Sequence, residues 1–360
     1  MLLSIIIPVY KVEDYIEKCL QSIVDSYTLL NKPIEVIVVD DGSPDNSGQI
    51  ADRFARDYFY IKVIHKENAG VAAARNKGIQ AATGKWLYFV DSDDWVAKDA
   101  IDIICQRIEA NADADILLFD AYQNMPDEEK EWKHFSCEMV WNRQEEIRLL
   151  QRGMLYFPSV DKKRKTPLAA PWDKVYRREA LKKNQIFFQE ELRVLDDMVF
   201  NMEMFGVAQK VVYYKDKIYH YRYVPDSITN QYRANRIEQD CAVWAYLQNY
   251  MNLADQHGTL NEKEKEAFRQ AYYYRIVKSF SICTRLQFFH PKNQNKLSDK
   301  IRKVKEVLKS EPYAEAFHKA KLRNAEWKLK VMIGIGRLRW GYGVYLLYIG
   351  QNRIFTKSLR

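Results

Sequence analysis

Three carboxylates follow an apolar stretch in the amino-terminal half of the chain. Residues Trp86 to Val90 are apolar or aromatic, and Asp91, Asp93 and Asp94 come directly after them. Such a run predicts a strand that is buried on both faces of a parallel sheet. Because ligands of open α/β sheets bind beyond the carboxyl ends of strands, the acidic turn is a candidate ligand site.

The spacing of these carboxylates suits a hard divalent cation. Asp91 and Asp93 are two residues apart, so on an extended chain they lie on the same side. Oxygen ligands of this kind bind Mg²⁺ or Mn²⁺, which keep open positions for phosphate oxygens. The alternative is a loop in which Asp93 or Asp94 caps a helix that begins near Val96.

Length and composition indicate a globular chain with more than one unit. The 360 residues are 47% hydrophobic, enough to bury a large core. No signal peptide is recognised, and no run of about 18 apolar residues predicts a membrane span. The five cysteines are scattered and form no CxxC pair. A reduced, cytoplasmic compartment is therefore expected.

The apolar pattern predicts strands that alternate with helices. Strands are expected at 3–9, 34–39, 61–64, 86–90 and 116–119, and helices at 15–26, 45–58, 69–82 and 100–110. This order predicts an α/β fold with a mostly parallel sheet and helices on both faces, and Gly84 is expected to cap the third helix. The chain has neither G-x-G-x-x-G after its first strand nor a P-loop motif, which argues against both kinds of nucleotide site.

The remaining chain divides into three predicted regions. Residues 121–225 contain strand-like segments at 211–214 and 218–223, and residues 226–325 are predicted to be helical, with helices at 239–253, 262–286 and 296–308. Residues 326–360 form a basic, aromatic tail. From Lys321 onward there are nine basic residues and one acidic residue, which accounts for the net charge of +8.

The tail admits two interpretations. Its mixture of Arg and Lys with Trp, Tyr and Leu suits an interfacial segment on an anionic membrane. The alternative is a terminal helix that packs on the rest of the protein and keeps its basic face in water. Binding of nucleic acid is not expected, because no other feature of the chain supports it.

Four motifs occur in an order that resembles a known family. They are Ser4 to Tyr10, Val39 to Ser43, Asn68-Ala-Gly70 with Ala73-Ala-Arg75-Asn76, and Phe89 to Asp94. The chain resembles a family 2 glycosyltransferase of the GT-A (Rossmann-like) fold, a group common in bacterial polysaccharide synthesis. The resemblance is strong over residues 1–120, which would be the nucleotide-sugar half, and weaker over the acceptor half, 121–225. Residues 1–225 would form the catalytic domain.

The resemblance implies a role for each motif in binding the donor. Residues expected to bind the nucleotide-sugar are Pro8, Val9, Tyr10, Asp40, Asp41, Asn68, Gly70, Arg75, Asp91 and Ser92. Asp41 would bind the base edge, and Arg75 would reach phosphate or Asp91. Asp91-Ser92-Asp93 matches the DxD signature, in which Asp93 is the expected metal ligand and Asp91 would face the ribose or the metal, Mn²⁺ or Mg²⁺.

An acidic pair in the second half would supply the catalytic base. The segment Leu195 to Asn201 fits the family's Gly-Glu-Asp-x-x-Phe-Asn pattern, with Asp197 as the base and Asp196 in place of Glu. Leu195 departs from the family's Gly. The two carboxylates could instead cap a helix that starts at Met198.

The implied activity is transfer of a sugar, with inversion, from a nucleotide-sugar to a saccharide or lipid-linked acceptor. A UDP-sugar is the expected donor. The protein would be cytoplasmic, and its tail could hold it at the inner face of the cell membrane. The alternatives are a non-catalytic sugar-binding protein and a sugar nucleotidyltransferase. Trp172 could stack on a sugar or fill the core, and His220 is expected to pack within a strand.

Overall fold

The structure, a computed structural model, describes residues 1–28, 32–156, 168–223, 231–256 and 260–358. The described chain divides into two compact units. The first contains all the described strands and the helices among them. The second contains the helices from residue 236 onward, with short stretches at 155–156 and 192–194. The predicted boundary between residues 225 and 226 lies outside the described residues, and those at 120 and 325 stay predictions.

The first half of the sheet is parallel, as predicted. Its elements are β1 (Leu3–Val9), α1 (Ile16–Ser26), β2 (Ile34–Asp40), α2 (Ser47–Asp57), β3 (Ile61–His65), α3 (Val71–Ala81) and β4 (Trp86–Phe89). The strands lie in the order β3-β2-β1-β4, and each neighbouring pair is parallel. Pro8 lies beyond Ile6, the last residue of β1 that pairs with β4, so its missing N–H does not interrupt that ladder.

The second half of the sheet is mixed. Its elements are β5 (Trp95–Val96), α4 (Ala100–Ala110), β6 (Ile116–Asn124), β7 (Glu129–Trp132), β8 (Met139–Trp141), α5 (Gln144–Leu155), β9 (Lys174–Arg177), α6 (Arg178–Lys183), α7 (Asp196–Val207) and β10 (Val211–Arg222). The order continues β4-β9-β6-β10-β5. Strand β9 is antiparallel to both neighbours, whereas β6 and β10 are parallel. The two segments predicted at 211–214 and 218–223 are one irregular strand, β10.

The core confirms the predicted helical and strand periodicities. Every residue of β1 and β2 is buried, and α1 buries its apolar stripe of Ile16, Cys19, Leu20 and Ile23. The same core extends to Trp172, whose ring stacks on Tyr219 with centroids 4.7 Å apart. Of the two interpretations of Trp172, the structure supports a core residue.

One local prediction and one alternative interpretation are wrong. Helix α3 ends at Ala81 with Ala82 in the capping position, so Gly84 is not the cap. Gly84 is small for another reason: a Cβ there would lie 2.6 Å from the backbone nitrogen of Ser4. No helix begins near Val96, because that residue belongs to β5 and α4 starts at Ala100.

The second unit is helical, as predicted. Its helices are α8 (Arg236–Gln256), α9 (Glu262–Cys283), α10 (Leu297–Val307), α11 (Tyr313–Lys319), α12 (Trp327–Arg337) and α13 (Gly341–Ser358), with a π-helical turn at Thr284–Phe288. Tyr272, Tyr273 and Tyr274 are buried, so they pack within this unit. Over the described ranges, none of the helices combines the length and apolarity that crossing a bilayer requires.

Candidate active site

Arg75 brings together carboxylates from distant parts of the sequence. One guanidinium nitrogen, Nη2, donates a 2.8 Å hydrogen bond to Asp91 at the end of β4. The other, Nη1, donates a 2.6 Å bond to Asp197 and lies 3.6 Å from an oxygen of Asp196, both in the first turn of α7. The Arg75 side chain is only 4% exposed, so this is a buried ion-pair cluster rather than a solvated helix face.

The surroundings of the acidic pair raise the pKa of both carboxyl groups. Burial raises the pKa of Asp197 to about 7; Arg75 opposes this rise, while Asp196 and Asp91 add to it. Burial also raises the pKa of Asp196, against the effect of Arg75. The Asp197 side chain nevertheless keeps 36% of its surface exposed. A carboxylate with these properties can accept a proton from a hydroxyl near neutral pH.

A departure from the family pattern has a structural cost at Leu195. This residue occupies the capping position of α7 with φ of 59° and ψ of 16°, which is the left-handed region. Only Gly adopts that conformation without strain, which accounts for the usual Gly at this place in the pattern. Because Leu195 holds the capping position, neither Asp196 nor Asp197 does, and the capping interpretation is wrong.

The Phe and Asn of the same segment fix the first turns of α7. The Phe200 ring stacks on Phe188 with centroids 4.0 Å apart. Asn201 donates 2.9 Å hydrogen bonds to the carbonyls of Asp197 and Ala169 and accepts one from the Tyr176 hydroxyl. Asn201 therefore orients the backbone that carries the acidic pair.

Asn76 positions a segment beside Arg75. Its amide exchanges two hydrogen bonds with the backbone of Phe188, at 2.8 and 2.9 Å, and donates a third to Glu190. The Phe188 ring lies 5.0 Å from the Arg75 guanidinium. The adjacent Arg and Asn of α3 thus contact two different segments, the first turn of α7 and the loop at Phe188 to Glu190.

The DxD segment presents two carboxylates, Asp91 and Asp93, at the end of β4. The Asp93 carboxylate has no hydrogen bond or ion pair to another side chain in the described part of the protein. Burial and then Asp91 raise its pKa to about 6. Among the described residues, no group of three or more His, Cys, Asp or Glu side chains is arranged so that it alone could hold a metal ion. Mg²⁺-type sites commonly use one or two carboxylates and complete their shell with phosphate and water, so Asp93 and Asp91 fit this role.

Strand β10 holds the acidic turn, which the sequence alone did not indicate. The Tyr219 hydroxyl accepts a hydrogen bond from the Asp91 N–H and donates one of 2.7 Å to Asp94. Asp94 also accepts a 2.6 Å hydrogen bond from the backbone N–H of Arg222. The side-chain Nε of Arg222 donates a hydrogen bond to the Asp93 carbonyl. Burial and the carboxylates of Asp93 and Asp91 raise the pKa of Asp94. Asp94 is thus a structural anchor of the turn and not a helix cap.

Cations and aromatic rings surround the same turn. Lys18 Nζ lies 3.3 Å from the centroid of the Trp95 ring, and the Arg222 guanidinium lies 4.7 Å from it. His220 stacks between Trp95 and Tyr122, with centroid distances of 5.0 and 4.7 Å, which confirms a packed strand histidine. No local pattern indicates Lys18 or Arg222, because their proximity to Trp95 depends on the packing of α1 and β10 against the acidic turn.

Asp41 organises the loop after β3. Its two carboxylate oxygens accept hydrogen bonds from the backbone N–H groups of Ala69 and Gly70. One of them also accepts a hydrogen bond from the Lys66 ammonium group. Asn68 donates a 2.9 Å hydrogen bond to the Asp41 carbonyl. Gly70 has φ of 100°, a conformation that favours glycine. Asp41 is therefore a buried loop anchor in this structure, and its contact with a base stays a prediction.

Asp40 has a different set of partners. One oxygen accepts the Ser43 N–H, and the other lies 2.9 Å from His65 Nδ1. His65 Nε2 lies 3.0 Å from Asp52. The hydrogen bond with Asp40 contributes most, and that with Asp52 next, to raising the pKa of His65. Asp40 thus holds the loop that contains Asp41, and its contact with the nucleotide-sugar stays a prediction.

The remaining predicted donor residues differ in accessibility. Tyr10 is about half exposed and is available to a ligand. The Val9 side chain belongs to the core, so only its backbone can face a ligand. Pro8 and Ser92 are buried as well. The structure leaves the binding roles of all four residues as predictions.

The sequence comparisons establish the family. The model of glycosyl transferase family 2 matches residues 4–184, and the chain therefore belongs to this family. The EpsH protein of Bacillus subtilis (strain 168), named as a glycosyltransferase, is 30% identical over 326 residues, which are 88% of this chain and 86% of EpsH. EpsJ of the same organism, an uncharacterized glycosyltransferase, is 34% identical over 233 residues, 63% of each chain. The protein is thus a glycosyltransferase.

Solved structures show the same fold. The structure of S. aureus TarS residues 1–349 in complex with UDP-GlcNAc matches with a TM-score of 0.68 and 22% identity. The match covers 96% of this chain and 89% of the TarS chain. The predicted GT-A fold, an α/β sheet followed by a helical region, is therefore confirmed.

Proposed function

We propose that this glycosyltransferase transfers a sugar from a UDP-sugar to a saccharide or lipid-linked saccharide, with inversion and with the help of Mn²⁺ or Mg²⁺. The product would belong to a surface polysaccharide. The observation that carries the proposal is the bridge formed by Arg75. It joins Asp91, at the expected donor site, to the acidic pair Asp196 and Asp197.

Asp197 is the proposed general base. A hydroxyl of the acceptor becomes a better nucleophile when a carboxylate removes its proton during attack. The pKa of about 7 favours this transfer near neutral pH, and the exposed third of the side chain gives the acceptor access. Asp196 contributes charge to the cluster, because one of its oxygens lies 3.6 Å from the Arg75 nitrogen that also binds Asp197.

Asp93 and Asp91 are the residues that would hold the divalent cation. When bound, the cation neutralises charge on the leaving diphosphate. Asp93 is suited to this task because its carboxylate is only partly exposed, and within the described ranges no cationic side chain forms an ion pair with it. Arg222 and Lys18 lie close to the same turn and provide further positive charge for a diphosphate.

The nucleotide loop supports a nucleoside diphosphate donor. Asp40 and Asp41 fix the turn after β2, and Asp41 ties it to the loop at Lys66 to Gly70. Half-exposed Tyr10, at the end of β1, offers a ring to stack on a base. UDP is the proposed nucleotide, in keeping with the UDP-GlcNAc bound to TarS in the structure that shares this fold.

A cytoplasmic location at the inner face of the membrane is also proposed. The five cysteines all lie in the described ranges and are free, which is usual in a reducing compartment. A lipid-linked acceptor would be presented at that membrane surface. The basic tail, which contains most of the positive excess of the chain, is the proposed site of contact.

Thermal unfolding in the presence of nucleotides tests the donor assignment. UDP, GDP, CDP and dTDP are each added with Mn²⁺ or with a chelator. A ligand that binds the native state raises the melting temperature by mass action. UDP with Mn²⁺ is expected to raise it by several degrees, and the chelator is expected to remove most of the rise. An equal response to all four nucleotides, or none to UDP, would contradict the proposed donor.

A further inference from the structure

Exposed apolar side chains are concentrated in the last two helices. Six large hydrophobic residues between 327 and 346 are exposed, although this segment is short. They are Trp327, Val331, Leu338, Trp340, Tyr342 and Leu346. Trp327, Leu338 and Leu346 are 70%, 76% and 58% exposed, respectively. Single exposed hydrophobic residues are ordinary, but a cluster marks a surface that contacts something else.

Helix α12 has two apolar faces. Its inner face consists of Leu329, Met332, Ile333 and Gly336, all buried. The spacing of Trp327, Val331 and Leu338 is four and then seven residues, so these side chains project within roughly 40° of one another at 3.6 residues per turn. This outward stripe lies on the side of the helix opposite the buried one. A helix that only packed on the protein would carry polar residues there.

The inner contacts prevent α12 from rolling its outward stripe into the unit. A Cβ on Gly336 would lie 2.1 Å from a ring carbon of Phe317 in α11, so the two helices are in close contact at that point. Arg337 donates hydrogen bonds to the carbonyls of Phe317, His318 and Ala320, where α11 ends. The exposure of the stripe is therefore a fixed property of the packing.

Helix α13 continues the surface. Val344 is fully buried, and Tyr348 donates a 2.8 Å hydrogen bond to the Phe289 carbonyl. Tyr342 and Leu346, one turn apart, are exposed, and Lys305 of α10 lies 6.0 Å from the Tyr342 ring. We group the exposed apolar residues of α12, α13 and their connection with the neighbouring Lys and Arg, and we term this set the interfacial face.

The positive charge of residues 327–360 favours an anionic partner. From Trp327 to Arg360 the sequence contains seven basic residues and no acidic residue. Lys328, Lys330 and Arg337 flank the outward stripe of α12. An isologous contact with a second copy would bring these cations together, and Glu326 is the single acidic residue of the tail that could offset them. Aromatic and aliphatic side chains bordered by Lys and Arg instead match the boundary between acyl chains and anionic headgroups.

We propose that the interfacial face docks on an anionic lipid bilayer, with Trp327, Leu338 and Leu346 entering the headgroup boundary. The helices would lie on the bilayer and not cross it, because Arg337 and Arg339 interrupt the apolar sequence. This inference names the surface responsible for the proposed membrane location, and it rests on the proposed function only for its purpose, access to a lipid-linked acceptor.

Co-sedimentation of the full chain with lipid vesicles tests the inference. Vesicles of phosphatidylcholine alone are compared with vesicles that also contain phosphatidylglycerol, at low and at physiological salt. The chain is expected to bind the anionic vesicles preferentially. The double substitution Trp327→Gln with Leu338→Gln is expected to weaken this binding by about tenfold or more, since two large apolar groups are lost. Lys328→Gln with Lys330→Gln is expected to weaken it most at low salt.

Phe59→Gln serves as the matched control, because Phe59 is 92% exposed and lies in the first unit. It is expected to leave vesicle binding unchanged. UDP-induced thermal shifts of every variant separate a failure of membrane docking from a failure of the proposed donor. Vesicle binding that survives the apolar double substitution, or is equal for neutral and anionic lipid, would overturn the inference. A dimer in light scattering that the same substitution dissociates would also overturn it, in favour of a second copy.

Discussion

The Arg75 guanidinium donates a 2.6 Å hydrogen bond to Asp197, 122 residues further along the chain. The same group binds Asp91, so one side chain of α3 holds the acidic turn of β4 and the first turn of α7. Its planar fork makes this possible, because two nitrogens point to two acceptors at once. Arg75 thereby holds the carboxylate of Asp91 and that of Asp197 at a fixed separation.

Replacement of Arg75 by Lys is expected to lower sugar transfer by about 100-fold or more. Lysine is a point charge and cannot hold Asp91 and Asp197 in a fixed fork. Steady-state transfer assays measure the effect. Lys77→Ala, an exposed cation of the same helix, is the control and should retain activity. Near-normal turnover of Arg75→Lys would show that charge alone, and not the bridge, is required.

Asp197→Asn is expected to abolish most transfer, by about 10²- to 10⁴-fold, and to leave UDP binding largely intact. The amide cannot accept the acceptor's proton. Asp57→Asn, at the exposed end of α2, is the control. In the unchanged enzyme, the rate should fall as pH drops through about 7, because protonation removes the basic form of Asp197. Unchanged turnover of Asp197→Asn, or a flat rate across that range, would reject the base assignment.

Asp93→Asn is expected to reduce the Mn²⁺-dependent part of UDP binding by about tenfold or more, because a neutral amide is a weaker ligand for a hard cation. Calorimetric titration with UDP, with and without Mn²⁺, measures this difference. Asp99→Asn, in the loop before α4, provides a carboxylate control outside the acidic turn. If the metal enhances UDP binding equally in Asp93→Asn and the parent, Asp93 is not a ligand.

The left-handed conformation of Leu195 predicts how its substitutions rank in stability. Leu195→Val is expected to lower the free energy of unfolding by about 1 kcal/mol or more, since a β-branched residue is strained at positive φ. Leu195→Gly relieves the strain and should preserve transfer activity. Leu195→Met, unbranched and similar in volume, is the control. Chemical denaturation gives the free energies; a Val variant as stable as the Met variant would contradict this expectation.

The lowered pKa of Glu35, which lies away from the active site, predicts that the stability of the fold depends on pH. Burial acts to raise its pKa, but hydrogen bonds from Thr83, Ser4 and Lys62 prevail and lower it to about 2. A lowered pKa means that the stabilisation is present above the unfolded pKa of about 4.3 and is lost as pH falls toward 2. Glu35→Gln should therefore lower the free energy of unfolding at pH 7 by about 1–3 kcal/mol.

Unfolding of the Glu35 variant at several pH values checks this prediction. The difference from the parent chain should shrink as the pH falls below about 4, where Glu35 of the unfolded parent becomes protonated. Glu17→Gln, which changes an exposed carboxylate paired with Arg53, should have a small effect at every pH. A difference that does not vary with pH would contradict the proposed origin of the stability.

Local periodicity was sufficient to predict much of the fold. The strands that contain Ile5, Val36 and Tyr88 are continuous apolar runs, and the stripe of α1 follows the helical period, so both patterns are readable without tertiary information. The antiparallel strand β9 was not predicted, because its pairing with β4 and β6 joins residues far apart in sequence. Gly84 was misassigned because close packing against Ser4 leaves no local signal.

Some residues of the candidate site were predicted from local motifs, and others depend on tertiary contacts. The motifs indicated Asp91, Asp93, Arg75 and Asp197, but they did not indicate which of these would meet. The roles of Tyr219 and Arg222 were missed, since they depend on β10 approaching a turn about 128 residues earlier. Asp94 illustrates the consequence: its carboxylate resembled a helix cap in sequence and is a tertiary anchor in the structure.

The neighbouring residues Arg75 and Asn76 have a consequence for engineering. Arg75 reaches the acidic pair of α7, while Asn76 binds the backbone at Phe188, so one turn of α3 contacts two segments that lie 112 and 122 residues further along the chain. A chimera that joined the first 120 residues of this chain to the corresponding later segment of a relative would have to preserve all of these contacts. Acceptor preference is therefore better altered by exchanging surface loops than by recombining halves.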